Sequence, residues 1–215
     1  MNIATFEGTV KDRRPEFVGP AAVGGEDLAG WAERLIRADG VETPVELARR
    51  GLIGLGLAAL YGLAIGARQG GALLLAHALG VPLGLLLLGV IGAPCLFVFL
   101  ALFRSNIGGA VLASAFARGV SSAGLLLAGL APAAALFVVS SATPQAASFA
   151  VLFGLILGGG LSLARIVWDV LRGAWAGGSL STLAAFGIIG AFAFFAVLLE
   201  ARIWSAMLPV LGGAS

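Results

Sequence analysis

A chain of 215 residues that is 60% hydrophobic and only 11% charged is not built for water, since soluble domains carry about 25% charged residues. Its mean hydropathy is +1.04, and its apolar residues come in runs rather than in alternation, which argues against a β-barrel. A net charge of +2 without a basic patch gives no footprint for nucleic acid. Cys95 is the only cysteine, so neither an internal disulfide nor a thiolate metal cluster can form.

The charges are unevenly placed. Residues 1–50 hold seven of the thirteen Lys and Arg and nine of the eleven Asp and Glu. The reading is therefore a polar N-terminal segment, 1–43, ahead of a transmembrane helical domain, 44–203, and a short tail, 204–215. The start, MNIATFEGTVKDRRPEF, lacks the apolar region of a signal peptide. Within the polar segment, residues 26–37 (EDLAGWAERLIR) read as an amphipathic helix. Leu28, Trp31, Leu35 and Ile36 form one apolar face, with Glu33, Arg34 and Arg37 largely elsewhere. Such a helix needs a surface: the bilayer interface, the membrane domain or a protein partner.

The next helix opens with Thr43 as its cap, Pro44 in its first turn and Glu46 at capping-box spacing. After Arg49 and Arg50 no charge appears until Arg68, which gives a first span of about 51–67. Residues 69–103 are uncharged over a length too great for one straight span and too small for two. Gly80-Val81-Pro82 suggests a division into an interfacial or re-entrant piece, 71–79, and a second span, 82–103, kinked at Pro94. Residues 104–119 then read as a connection. Spans three and four are expected at about 120–139 and 147–167, separated by a turn at Ser140-Ser141-Ala142-Thr143-Pro144-Gln145. A fifth is expected at about 180–199, ending at Glu200 and Arg202.

The expected fold is thus all-α, a polytopic transmembrane bundle of about five helices. Positive charge near short loops favours the cytoplasm. With a cytoplasmic N-terminus, Arg49, Arg50, Arg104, Arg118, Arg165 and Arg172 fall inside, and only Arg68 and Arg202 outside. The C-terminus is then outside. The Ala- and Gly-rich composition fits a bacterial source, hence a multi-pass protein of the bacterial inner membrane.

A polar N-terminal segment, five closely spaced helices, short loops and almost no tail resemble the Yip family of helical membrane proteins and its bacterial relatives. The resemblance covers roughly residues 45–203 and rests on architecture. The acidic-aromatic-Gly-Pro motif of eukaryotic members is matched only loosely by Glu16-Phe17-Val18-Gly19-Pro20. The resemblance implies a non-enzymatic role in organising membranes through bound partners.

Little in the chain suggests catalysis or a cofactor. His77, the only histidine, is an intramembrane polar candidate, although one His with one Cys makes no metal site. Arg165, Trp168, Asp169 and Arg172 form the densest polar group, with Arg165/Asp169 and Asp169/Arg172 at helical pairing distances. Together with Trp31 and Arg34 they are the candidate contacts for a partner or for lipid headgroups. The pairs Gly62/Gly66, Gly80/Gly84 and Gly154/Gly158 permit close helix crossing, within the chain or in a homo-oligomer. The expectation is a non-catalytic scaffold, anchor or subunit of a membrane complex. Its partners would be the bilayer and a protein bound through the N-terminal segment. The alternative is a small transporter or channel component.

Overall fold

The computed structural model describes residues 30–33, 35, 43–102, 108–176 and 182–208. Arg34, Arg104, most of the expected 26–37 helix and residues 209–215 lie outside the described residues. Five long helices make up the rest: α1 (Pro44–Gly66), α2 (Gly71–Leu102), α3 (Gly109–Ser140), α4 (Pro144–Ala176) and α5 (Thr182–Met207). Each is long and apolar enough to cross a membrane. The protein is an all-α, multi-pass membrane bundle.

α1 starts as its sequence dictates. Glu46 N–H donates to Thr43 Oγ1 at 3.3 Å, and Thr43 N–H donates to Glu46 Oε2 at 2.8 Å, a reciprocal cap. Its other end turns through Gly70 and Gly71, at φ +64° and +54°, a left-handed backbone that favours glycine. α2 then returns against α1. The backbones meet where Gly62 faces His77 and Ala78, and where Gly66 faces Leu74.

α2 differs from the division at residue 80. Residues 71–79 belong to one helix of 32 residues that runs through Pro82 and Pro94. At 1.5 Å per residue it is about 48 Å long, well beyond a hydrocarbon core of about 30 Å. Close packing of its first turns on the glycines of α1 holds them in line. Proline is tolerated within membrane helices because neighbouring groups satisfy the backbone it frees.

The other helices also outrun their expected limits. α3 begins at Gly109, so Arg118 lies inside a helix and not in a connection. α4 continues past Asp169 and Arg172 to Ala176. α5 continues past Glu200 and Arg202 to Met207. In each case the charge interrupts hydropathy without interrupting the helix.

Contacts fix the directions. Gly54 of α1 packs on Ser121 of α3, and Arg68 donates to the Ser141 carbonyl at 2.8 Å, so α1 and α3 are parallel. Gly119 meets Ile166 and Gly158 meets Leu127, so α4 runs against α3. Gly84 meets Trp204 and Gly92 approaches Phe192, so α5 runs against α2. One end of the bundle carries Arg49, Arg50, Arg118, Arg165, Asp169 and Arg172, and the other carries Arg68.

Two apolar clusters fill the interior. One joins Ala58, Tyr61 and Ile65 to Val81, Leu85, Leu127, Val151, Leu155 and Trp204. The second, nearer the arginine-rich end, joins Leu96, Leu112, Phe116, Ile166 and Phe192, with the two Phe rings edge to face at 6.5 Å. Tyr61 is fully buried, and its hydroxyl donates to the Val151 carbonyl at 3.2 Å in the space that Gly154 leaves open. Removing that donor in Tyr61→Phe is expected to cost about 1 kcal/mol, read as a lower unfolding midpoint in detergent.

Candidate functional site

Three polar places stand out. At the arginine-rich end, Asp169 of α4 joins Arg118 of α3. Arg118 Nε donates to Asp169 Oδ2 at 2.8 Å, and Arg165 Nε lies 3.8 Å from the same oxygen. The Arg118 and Asp169 side chains are 13% and 11% exposed. Ser114 Oγ, a turn before Arg118, accepts from its guanidinium at 3.4 Å. The expected Arg165–Asp169 pair is present but is the longer of the two. Arg118, which sequence spacing could not connect to Asp169, holds the shorter one. Arg172 and Trp168 are exposed on the outside of α4.

At the same end, Trp31 and Leu35 of the N-terminal segment lie over the start of α1. They share a cavity of about 310 Å³ with Glu46, Arg49, Arg50 and Ile53. Leu35 is buried, whereas Trp31 stays 38% exposed. The apolar face of this segment therefore seats partly on the protein itself.

The third place is the one that sequence reading missed. Glu200 of α5 is partly buried, and its Oε1 accepts the indole N–H of Trp204 at 3.0 Å, one turn on. Two glycines make room for this pair. A Cβ on Gly159 of α4 would occupy the position of the Glu200 carboxyl, and a Cβ on Gly84 of α2 would strike the Trp204 ring. The sequence signal was the continuation of apolar residues beyond Glu200, through Ile203, Met207 and Leu208. It marks a carboxyl inside a span and not at its end.

His77 is fully buried on α2. Its Nδ1 lies 2.7 Å from the Leu73 carbonyl, one turn back, and Nε2 has no partner among the described residues. A neutral imidazole with Nδ1 donating satisfies this geometry. His77 belongs to none of the three places above. Among the described residues no group of three or more His, Cys, Asp or Glu could hold a metal ion.

No family model, curated protein or solved structure matches the chain. The fold and the placement of its polar groups therefore carry the functional argument.

Proposed function

We infer that this protein is a non-catalytic scaffold or anchoring subunit of a membrane complex in the bacterial inner membrane, with a Yip-like organising role. The observation that carries the reading is the N-terminal segment. Leu35 is buried at the arginine-rich end of the bundle while Trp31, on the same segment, remains accessible. An aromatic anchor on a seated segment is the type of group that dominates protein interfaces. Asp169, Arg172 and Trp168 lie at the same end, where a partner or lipid headgroups would meet them. Affinity purification in mild detergent is expected to recover a stoichiometric partner with the full chain and to lose it when residues 1–40 are deleted. Recovery of no partner with the full chain overturns the reading.

The arginines favour a cytoplasmic location for the end that carries most of them. With that end cytoplasmic, single cysteines in a Cys95→Ala background are expected to react with an impermeant thiol reagent on intact cells at Gln145 and not at Arg172. The reverse labelling places the N-terminal segment outside and removes the proposed cytoplasmic partner.

The second reading, a small transporter component, draws support from Glu200, since ionisable groups inside spans often mark substrate or ion paths. Flux in proteoliposomes equal to that of empty vesicles would sink it.

A further inference from the structure

α4 and α5 touch only lightly, and between them lies a cavity of about 430 Å³. This is within the range of about 300–1,000 Å³ found for small-molecule pockets. Leu155, Ile156, Leu163, Val197, Glu200 and Trp204 are among its walls. Ile156 and Val197 are 66% and 54% exposed, on a surface with the hydropathy of a membrane span. The cavity therefore opens sideways, toward lipid.

One polar group dominates this apolar space. Glu200 has one carboxyl oxygen on the Trp204 N–H, while no described residue donates to Oε2. No Lys, Arg or His is among the described residues lining the cavity. The depth matters as well. Gly159, against which the carboxyl lies, follows Gly158, which packs on Leu127 of α3. Leu127 lies between Ser121, beside Arg50, and Ser141, beside Arg68. The carboxyl is thus placed between the two charged ends, within the apolar stretch 189–206 of α5, with the exposed Arg202 two residues on and outside the cavity lining.

A charged carboxylate at that depth is costly unless a positive charge accompanies it. The walls supply none, and headgroup ammonium groups stay at the interface. The complementary ligand is apolar over most of its surface, small enough for the cavity, and carries one shielded positive charge. Trp204, whose indole N–H binds the carboxyl, is a further wall of the cavity. We propose that the α4–α5 groove is a binding site for small lipophilic cations entering from the bilayer, with Glu200 as their counter-charge. The site requires neither a protein partner nor transport; it shares Glu200 with the second reading but does not depend on flux.

The test uses the full chain in lipid nanodiscs, with tetraphenylphosphonium as the probe and tetraphenylborate as an anion of matching shape. Calorimetric titration is expected to show one saturable site for the cation and none for the anion. Affinity for the cation should fall at least tenfold in Glu200→Gln. Equal binding by Glu200→Gln, equal binding of the anion, or no saturable binding overturns the proposal. A measurement on the unsubstituted protein guards against misfolding of the variant. Dicyclohexylcarbodiimide, which reacts with carboxyl groups from the lipid phase, is expected to label Glu200, and saturating tetraphenylphosphonium should suppress the adduct. Absence of an adduct on Glu200, or labelling undiminished by the cation, counts against the site.

Discussion

Gly124→Ala is expected to destabilise the bundle by about 2 kcal/mol, and Gly124→Leu by about 3 kcal/mol or more, the range of overpacked cores. The reason is that the obstacle is backbone. A Cβ on Gly124 of α3 would overlap the Gly54 carbonyl of α1 and stand 2.8 Å from its carbonyl carbon. In the other direction, a Cβ on Gly54 would stand 2.7 Å from the Ser121 Cα. No rotamer change relieves either contact, so the two helices would have to separate. Separation would also pull Ser121 Oγ from the Arg50 carbonyl, now 2.9 Å away.

In lipid this contact has no hydrophobic reserve behind it, because lipid tails receive apolar side chains as well as a helix does. Helix association rests on close packing and on polar ties, and the α1–α3 crossing has both. Gly129 is the control. It lies on the same helix with nothing within 4 Å of an added Cβ. Gly129→Ala is expected to be neutral or to stabilise by up to about 1 kcal/mol through helix propensity. Thermal midpoints in detergent check the pair, and equal midpoints for Gly124→Ala and Gly129→Ala would contradict the packing argument.

That contrast shows what a sequence of this kind conceals. With 33 glycines in the chain, spacing alone does not separate Gly124, at a backbone crossing, from Gly129, in open space. The overall plan was legible because it follows from hydropathy. Charge-free runs gave five helices, and Thr43 and Glu46 marked the start of the first. Helix limits were not legible where a charge stood, since Arg118, Asp169 and Glu200 each read as an end. What keeps each inside a helix is a partner in space: Asp169 for Arg118, and the Trp204 N–H with the vacancy at Gly159 for Glu200. Pro82 misled for a similar reason. Its local meaning is a helix start, but the packing of residues 71–79 on α1 continues the helix through it. The Glu200 site was hidden because its two glycines, one on α2 and one on α4, are far from it in sequence.

Loss of the carboxylate at Asp169 should be the most damaging single change at the arginine-rich end. Asp169→Ala leaves Arg118 between α3 and α4, its side chain 13% exposed and its remaining bond among the described residues the 3.4 Å contact to Ser114 Oγ. Removing one partner of a buried pair costs about 3–5 kcal/mol; nearby headgroup water should bring this case to the lower end. Arg118→Met should cost less, because Asp169 keeps Arg165 Nε at 3.8 Å. The double variant Arg118→Met/Asp169→Leu should recover much of the loss, since an apolar pair of similar volume removes the stranded charge. A double-mutant cycle on unfolding in detergent tests this order, with an expected coupling of about 1–3 kcal/mol. Additive costs would instead mean that lipid headgroups and water satisfy each side chain separately. The contact would then tie α3 to α4 no more strongly than an exposed surface pair does.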